Sequence, residues 1–415
     1  MTRALALIDG EHYAPVVKAA LEELPYDFVA AHVVGGTEKL RDDADYGVDL
    51  EDDLEAGLAR AEVVVDLSDE PVLGPVERFR LASRVLAAGL PYVGADFRFD
   101  PPELEPFPLP SISIVGTGKR VGKTAITAHA ARLYARDREV VVVAMGRGGP
   151  PDPEVAEVAP DVDALLELSR SGRHAASDYL ETAALAGVKT VGCRRCGGGL
   201  AGTVAVSNVA EGARRAAELE PDLVVFDGSG AALPPVQTSR RLLVVNAQQD
   251  PDVVTGYLNR YRHLVSDLVL LTMAERGSGW EELHGRALEL APAVIPVILR
   301  PRPVADVSGR RVVFFSTAPE SAHDAFRTHL AGEHGADVVH VSGSLADRGA
   351  LRRELDSVDA DVFLVELKAA AIDVVAEAAH ERGVEVVLAG SDVEAVDGQD
   401  LDAALLELAE GASSE

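Results

Sequence analysis

Short apolar runs alternate along the whole chain with longer segments in which apolar residues recur every three or four positions. This alternation is typical of buried parallel strands connected by amphipathic helices, and it predicts an α/β fold. In the N-terminal region it predicts strands at 4–8, 28–34, 63–67 and 92–93, with helices at 15–24 and 76–88. In the C-terminal region it predicts strands at 312–315, 338–341, 362–365 and 384–388.

Two proline-rich segments divide this pattern into three blocks. Residues 100–110 contain five prolines, and residues 300–303 read Arg-Pro-Arg-Pro. Because proline has no backbone N–H to donate, such a density predicts an extended linker or strap. We therefore expect three domains, with boundaries at 1–105, 106–300 and 301–415.

Charge and hydropathy narrow the class of protein. The 68 acidic residues outnumber the 39 basic ones, of which only six are lysines, and the net charge is −29. Such a surface repels nucleic acids and anionic lipids, and no apolar run approaches the ~20 residues that span a bilayer. The chain starts on an apolar segment without the features of a secretory signal. We expect a cytoplasmic protein with neither nucleic-acid nor membrane partners. Its acidity fits either adaptation to concentrated salt or a GC-rich genome.

A glycine-rich loop after residues 111–115 carries the strongest chemical signal. It joins an apolar strand to an alanine-rich helix, the order in which backbone N–H groups and a helix N-terminus converge on phosphate. Lys123 is predicted to contact the β- and γ-phosphates of ATP, and the Thr124 hydroxyl to bind Mg²⁺. Thr117 stands where the strict motif has glycine, so this is a variant loop. The predicted nucleotide-binding residues are Gly116, Thr117, Gly118, Lys119, Arg120, Val121, Gly122, Lys123 and Thr124.

The variant loop resembles that of the dethiobiotin-synthetase and MinD-like ATPases. The resemblance implies a central P-loop domain with a parallel sheet, flanked here by two smaller Rossmann-like α/β domains.

Asp227 follows the apolar run 223–226 and precedes a glycine, so it is predicted to supply the acidic Mg²⁺ ligand, the alternative being a helix cap. The segments 244–246 and 270–275 are candidates for recognition of the base.

Arginines and glycines cluster in two further loops of the central region. Arg147, Gly148 and Gly149 follow a predicted strand at 140–144, and Arg194, Arg195, Gly197 and Gly198 surround a Cys-x-x-Cys pair. Free N–H groups beside guanidinium forks suit a polyanionic substrate. Zinc or redox chemistry at Cys193 and Cys196 is disfavoured, because no second cysteine pair exists and glycines follow where a redox pair opens a helix. The competing interpretation is surface arginines on a mobile loop.

The outer regions offer weaker candidates. His12 and Lys39 lie in polar loops that follow the first two strands, where α/β domains place ligands. Both are predicted substrate contacts; for His12 the alternative is a capping or packing role. Lys368 follows a strand in the C-terminal region, where solvation at the start of a helix explains it equally well.

Together these motifs resemble the cyclic 2,3-diphosphoglycerate synthetase family. The resemblance rests on Asp-Gly-Glu-His-Tyr at 9–13, Val-Gly-Gly-Thr-Glu-Lys-Leu at 34–40, the phosphate loop, Gly-Arg-Gly-Gly-Pro at 146–150 and Gly-Cys-Arg-Arg-Cys-Gly-Gly-Gly at 192–199. It implies ATP- and Mg²⁺-dependent closure of a phosphoanhydride within 2,3-bisphosphoglycerate, and it makes a homodimer plausible. The predicted catalytic residues are Lys123, Asp227, Arg147, Arg194 and Arg195.

Two other functions remain open from the sequence. One is a different P-loop ligase or kinase acting on a phosphoglycerate or a carboxylate. The other is a MinD-like ATPase switch, which would need a basic amphipathic membrane helix; residues 401–408 have no basic face. Nucleotide and metal contacts together make a pure binding module the weakest interpretation.

Overall fold

A computed structural model describes residues 1–36, 38–41, 44–172, 177–367, 371–396 and 398–413, so Lys368 lies outside the described residues. The strands are β1 (Thr2–Asp9), β2 (Tyr26–Gly35), β3 (Val63–Asp66), β4 (Tyr92–Val93), β5 (Arg98–Phe99), β6 (Ser111–Gly116), β7 (Val140–Gly146), β8 (Glu154–Ala156), β9 (Lys189–Cys196), β10 (Val206–Ser207), β11 (Leu223–Asp227), β12 (Arg240–Asn246), β13 (Leu268–Thr272), β14 (Val294–Pro303), β15 (Arg311–Phe315), β16 (Asp337–Ser342), β17 (Val362–Glu366) and β18 (Glu385–Ala395).

The helices follow the apolar periodicity of the intervening segments. They are α1 (Ala14–Glu23), α2 (Leu54–Arg60), α3 (Pro75–Ala87), α4 (Lys123–Tyr134), α5 (Val162–Arg170), α6 (Asp178–Ala186), α7 (Val209–Ala217), α8 (Pro251–Val254), α9 (Asn259–Leu264), α10 (Trp280–Leu288), α11 (His323–His334), α12 (Arg348–Leu355), α13 (Glu377–Arg382) and α14 (Leu401–Ser413). None of the helices in the described ranges is long and apolar enough to cross a membrane.

The N-terminal strands form a sheet in the order β2-β1-β3-β4-β5. The first four pair in parallel, and β5 pairs antiparallel to β4. Because parallel strands end at one edge of a sheet, the loops after β1, β2 and β3 lie together. Gly10 shows how close they are: a Cβ at this position would lie 2.1 Å from the carbonyl oxygen of Gly36.

The central strands form the core of a larger sheet, in the order β9-β7-β11-β6-β12-β13-β14 with parallel pairing throughout. All residues of β6, β7, β11 and β13 are buried, as expected for strands covered by helices on both faces. This confirms the mixed α/β class and the large parallel sheet. It also puts the strand before the phosphate loop between β11 and β12.

The C-terminal strands extend this sheet instead of forming one of their own. The order continues β14-β18-β17-β15-β16, and β14 joins the two parts by antiparallel pairing with β18. The predicted boundary at 300–303 therefore lies inside a strand, with Pro301 opposite Ser391 and Pro303 opposite Ala389. Pairing of β14 with β13 ends at Pro296, so the later prolines remove no hydrogen bond on that side. The division into three domains stays a prediction.

The proline-rich segment before β6 is an extended strap, as predicted. Glu105 donates its backbone N–H to Pro235 and accepts from the N–H of Gln237. The Phe107 ring packs edge-on against Phe226 of β11, with centroids 5.1 Å apart. The strap is therefore fixed along the central sheet.

The C-terminal helix α14 returns to the centre of the molecule, where it packs on α4, β6 and β12. Leu405 faces this contact and is 0 % exposed, whereas its neighbour Leu406 is 36 % exposed. At the same contact, His129 of α4 lies 2.9 Å from the carboxylate of Asp402. The end of the chain thus supports the helix that follows the phosphate loop.

We expect Leu405→Ala to lower the free energy of unfolding by about 2–5 kcal/mol, because it leaves a cavity between α14 and α4. Leu406→Ala makes the same chemical change at an exposed position and should shift it by less than about 0.5 kcal/mol. Urea unfolding followed by circular dichroism measures both variants. Equal effects would mean that α14 does not dock as described.

Candidate nucleotide and anion site

The loop between β6 and α4 is shaped for close backbone approach. Gly122 has φ +82 and caps the N-terminus of α4, and Arg120 also has a positive φ, of 57. A Cβ on Gly116 would lie 2.9 Å from Val121 Cγ2 and 3.0 Å from the carbonyl oxygen of Gly230. The sequence prediction of a strand, a phosphate loop and a helix in this order is confirmed.

Neighbouring strands hold the loop backbone in place. Thr117 donates its N–H to the carbonyl of Val244 at 3.2 Å. Asn246 Nδ2 donates to the carbonyl of Arg120 at 3.3 Å, and Thr272 Oγ1 to that of Val121 at 2.7 Å. Two residues expected to recognise the base thus support the loop. Base recognition by these segments stays a prediction.

Lys123 and Asp227 form a buried ion pair at the centre of the site. Asp227 ends β11 and is 3 % exposed; its Oδ1 accepts from Lys123 Nζ and, at 3.0 Å, from Thr127 Oγ1. Burial raises the pKa of the Asp227 carboxyl, and the charge and hydrogen bond of Lys123 oppose that shift. The half-buried Thr124 is the next residue of α4. A carboxylate and a hydroxyl are the hard oxygen donors that Mg²⁺ prefers, so the residues present fit the predicted metal.

Arg147 and Arg195 meet beside the loop that follows Asp227. Arg195 donates to the carbonyl and hydroxyl oxygens of Ser229 at 2.9 and 3.3 Å. A Cβ on Gly230 would lie 2.9 Å from an Arg147 nitrogen and 3.7 Å from an Arg195 nitrogen. Burial and the charge of Arg147 both lower the pKa of Arg195, as expected for two guanidinium groups in proximity.

Gly230 therefore links the predicted anion site to the phosphate loop. Its carbonyl oxygen is the atom that a Cβ on Gly116 would approach, and the space where its own Cβ would lie is next to the nitrogens of both arginines. The parallel register explains this: β11 lies between β6 and β7, and Gly146 pairs with Arg194 on the next strand. The structure brings three of the predicted cationic residues, Lys123, Arg147 and Arg195, to one edge of the sheet.

The other predicted residues of these loops have different environments. Arg194 and Arg195 are adjacent in β9 and so point to opposite faces; the Arg194 side chain is exposed. Lys119, Arg120 and Gly148 are exposed as well, and so is Arg147.

Three of the predicted glycines shape the substrate loops. A Cβ on Gly149 would overlap the carbonyl oxygen of Cys193, at 2.0 Å. The carbonyl of Gly197 accepts from Arg195 at 2.7 Å, and a Cβ on Gly198 would lie 3.2 Å from the same guanidinium. These glycines position Arg195 and the loop after β7.

Asp178 belongs to the site and was missed by sequence reasoning. It begins α6, and its Oδ2 would lie 2.9 Å from a Cβ on Gly146. Its charge acts on both Asp227 and Arg195. No motif surrounds it, and the packing of α6 against α4, β7 and β9 brings it to the strand end.

The cysteines lie on opposite sides of β9 without forming a disulfide. Cys193 is buried against Gly212 of α7, where a Cβ would lie 2.1 Å from its sulfur. Burial raises the pKa of the Cys193 thiol to about 12, whereas Cys196 is exposed. This arrangement suits packing rather than redox chemistry.

In the N-terminal sheet, His12 lies between two carboxylates. Its Nδ1 is 2.7 Å from Asp9 Oδ1 and its Nε2 is 3.3 Å from Asp69 Oδ2. Lys39 donates to the carbonyl of Glu11 at 2.8 Å and lies 5.2 Å from the centroid of Tyr13. The two predicted substrate contacts thus share one cluster at the carboxyl edge of this sheet.

A cavity of about 270 Å³ lies between the N-terminal sheet and the phosphate loop. Phe79 of α3 lines it together with Tyr257, Leu200 and Thr117. The two aromatic rings are 5.4 Å apart at their centroids and join α3 to the segment before α9. The two regions therefore share a cleft next to the nucleotide site.

The fold and site define the class of P-loop nucleotide-binding proteins: a parallel sheet, a glycine-rich loop opening a helix, and a buried Lys–Asp pair. Comparison with known proteins agrees. The profiles of the N-terminal, P-loop and C-terminal domains of cyclic 2,3-diphosphoglycerate synthetase match residues 3–100, 111–294 and 303–392. The chain belongs to the cyclic 2,3-diphosphoglycerate synthetase family.

Relatives carrying that name match along their full length. The protein from Rubrobacter xylanophilus is 51 % identical, over 99 % of this chain and 98 % of the relative. Those from Methanothermus fervidus and Thermococcus gammatolerans are 40 % and 42 % identical, over 98 % and 97 % of this chain and 97 % and 96 % of the relatives. The chain is therefore an enzyme of the synthetase type with a P-loop ATP-binding domain.

We expect iodoacetamide to modify Cys196 but not Cys193 in the folded protein at mildly alkaline pH. The Cys193 thiol stays protonated there because its pKa is about 12, and burial blocks access. Peptide mass spectrometry measures both sites, with urea-unfolded protein as the control in which both react. Equal labelling of the folded protein would contradict the packing role of Cys193.

Proposed function

We propose that this enzyme uses ATP to join the two phosphates of 2,3-bisphosphoglycerate within one molecule, releasing cyclic 2,3-diphosphoglycerate, ADP and orthophosphate. The observation that carries the proposal is the position of Gly230: its carbonyl oxygen would lie 3.0 Å from a Cβ on Gly116 of the phosphate loop, and a Cβ on Gly230 would lie 2.9 and 3.7 Å from nitrogens of Arg147 and Arg195. It supports one site that holds two polyanions side by side. Family membership supports the identity of the product.

The phosphate loop binds ATP, and the arginine pair binds the anionic substrate. The phosphates of ATP bind to the backbone N–H groups of residues 116–122, to the N-terminus of α4 and to the Lys123 ammonium. The substrate carries two phosphates and a carboxylate on three carbons, and it binds near Arg147 and Arg195. Bidentate guanidinium contacts fix such a ligand in orientation as well as in position.

The first step transfers the γ-phosphoryl group of ATP to one phosphate of the substrate. A substrate phosphate oxygen attacks the γ-phosphorus in line, the bond to the β-bridging oxygen breaks, and ADP leaves. Lys123 and the arginines stabilise the charge that spreads over the transferred oxygens. A phosphate oxygen is already ionised near neutral pH, so this step needs no strong general base.

The second step closes the ring. An oxygen of the other substrate phosphate attacks the inner phosphorus of the new anhydride, and orthophosphate leaves with the electron pair of the broken P–O bond. The two phosphates sit on adjacent carbons, so holding the substrate in one orientation makes this attack intramolecular and fast. Arg147 and Arg195 keep both phosphates close despite their mutual repulsion.

Mg²⁺, when bound through Thr124 and Asp227, would neutralise charge on the ATP phosphates. Lys123 lies against Asp227, so the same carboxylate orients the lysine that reaches the phosphates. Thr127 holds Asp227 in this position.

Product analysis tests the proposal. The enzyme is incubated with ATP, Mg²⁺ and 2,3-bisphosphoglycerate, and ³¹P NMR follows the substrate signals. We expect the signals of a cyclic phosphoanhydride, ADP and orthophosphate in equal amounts. ADP formation without a cyclic product would contradict the proposal and favour another P-loop kinase or an ATPase switch.

Lys123→Ala should lower turnover by at least about 1,000-fold, because it removes a charge that stabilises the transferred phosphoryl group. Lys189→Ala is the matched control: this lysine starts β9, is 44 % exposed and faces Glu157 at 4.0 Å. Its turnover should equal that of the unchanged enzyme. An active Lys123→Ala enzyme would place the nucleotide elsewhere.

Arg147→Ala should raise KM for 2,3-bisphosphoglycerate by about 10- to 100-fold, the loss of one charge-assisted contact, with little change in KM for ATP. Arg215→Ala serves as the control, since Arg215 is an exposed residue of α7 bonded to Glu218 at 2.7 Å. Steady-state kinetics with each substrate varied separates the two constants. A rise confined to KM for ATP would move Arg147 to the nucleotide.

A further inference from the structure

Two histidines and an aspartate meet where α11 packs on the joint between β14 and β18. His329 and His334 lie in the last two turns of α11, with ring centroids 5.4 Å apart. Asp392 and Glu394 are two residues apart in β18, so their side chains point to the same face of the sheet, toward this helix. The cluster takes no part in the nucleotide site.

The spacing of the three donors fits a metal ion. Asp392 Oδ2 lies 3.3 Å from His329 Nε2 and 3.3 Å from His334 Nε2, and the three atoms all lie within 4.8 Å of one another. Ligands about 2.0–2.2 Å from a tetrahedral zinc ion are about 3.3–3.6 Å apart, and the two histidine–aspartate distances lie at the short end of this range. A direct charge-assisted hydrogen bond is shorter, at about 2.7–2.9 Å. Two of the three donor separations therefore fit a tetrahedral ion, and the two histidine nitrogens lie within 4.8 Å of each other.

Charged groups surround the three donors. Glu394 Oε1 lies 3.7 Å from the other ring nitrogen of His329, the position of the carboxylate that commonly orients a metal-bound histidine. Arg302 Nε lies 3.6 Å from Asp392 Oδ1 and leaves Oδ2 toward the histidines. His334 ends α11, where the negative end of the helix dipole favours a cation.

We propose that His329, His334 and Asp392 bind a divalent transition-metal ion, Zn²⁺ or a close relative, separate from the Mg²⁺ of the nucleotide site. Two imidazole nitrogens and one carboxylate select such a metal over Mg²⁺, which prefers oxygen donors. Three protein ligands leave a fourth position for water. His329 is held most rigidly, because its side chain is only 10 % exposed.

The ion fastens α11 to the strand that joins the two parts of the large sheet. Val393, between the two acidic residues, pairs with Leu299 of β14. Leu299 in turn supports the phosphate loop: a Cβ on Gly122 would lie 2.8 Å from its Cδ1. Metal binding at this joint therefore stabilises the region that carries the loop, and thermal stability reports it.

Metal titration of the chelator-treated full-length protein tests the site. The experiment uses a Cys196→Ser background, which removes the exposed thiol, and excess Mg²⁺, which occupies oxygen sites. Co²⁺ should bind with one ion per chain and give the visible absorption of a low-symmetry nitrogen–oxygen site, and Zn²⁺ should displace it. Zn²⁺ should also raise Tm.

Variants locate the ion. His329→Gln and His334→Gln should each weaken Zn²⁺ binding by more than about 100-fold, and Glu394→Gln by about 10- to 100-fold. His323→Gln is the matched control, because it makes the same change at the other end of α11. Its affinity and its Zn²⁺-induced rise in Tm should match those of the parent.

The shift in Tm is measured within each variant, with and without Zn²⁺, so a less stable variant still gives an answer. Binding that survives in both His329→Gln and His334→Gln would overturn the proposal. So would a parent protein that binds neither Co²⁺ nor Zn²⁺; the three side chains would then form only a hydrogen-bonded cluster. Neither outcome depends on turnover, so failure here leaves the proposed function untouched.

Discussion

The buried ion pair of Lys123 and Asp227 is the interaction on which the nucleotide site depends. A carboxylate that is 3 % exposed is stable there only because an ammonium and a hydroxyl satisfy it. The pair ties the helix after the phosphate loop to the adjacent strand, so the loop, α4 and β11 keep one arrangement. Removing either partner leaves a buried charge without its counterion, which typically costs about 3–5 kcal/mol. The stability of the fold and the geometry of the phosphate loop therefore depend on the same contact.

Parallel pairing of the strands places the predicted anion site next to the Lys123–Asp227 ion pair. Strands β7, β9 and β11 end at one edge, and each contributes a loop with a guanidinium or a close-packed glycine. Arg147 and Arg195 repel each other, and the hydrogen bonds of Arg195 to Ser229 and Gly197 hold it in spite of that repulsion. A protein of net charge −29 thus places two guanidinium groups beside its phosphate loop.

The joint between β14 and β18 couples the C-terminal strands to this machinery. It unites in one sheet the central and C-terminal strands, which the prolines at 300–303 were predicted to divide. Its residue Leu299 packs against Gly122 of the phosphate loop. The C-terminal helix adds a second connection through its packing on α4. Elements that are far from the phosphate loop in sequence therefore support it by packing. The histidine cluster lies at the same joint.

Local sequence determined the α/β class, the phosphate loop, its lysine and Asp227, because periodicity and the order strand–glycine loop–helix depend on neighbouring residues alone. The proline strap was predictable for the same reason. Only tertiary structure decided that Arg195 rather than Arg194 reaches Ser229, since a strand alternates its side chains and the face is set by packing. Contacts between segments that are remote in the chain place Asp178 at the site and Pro301 and Pro303 inside a strand. Such pairings follow from which surfaces bury each other, and no local pattern encodes that.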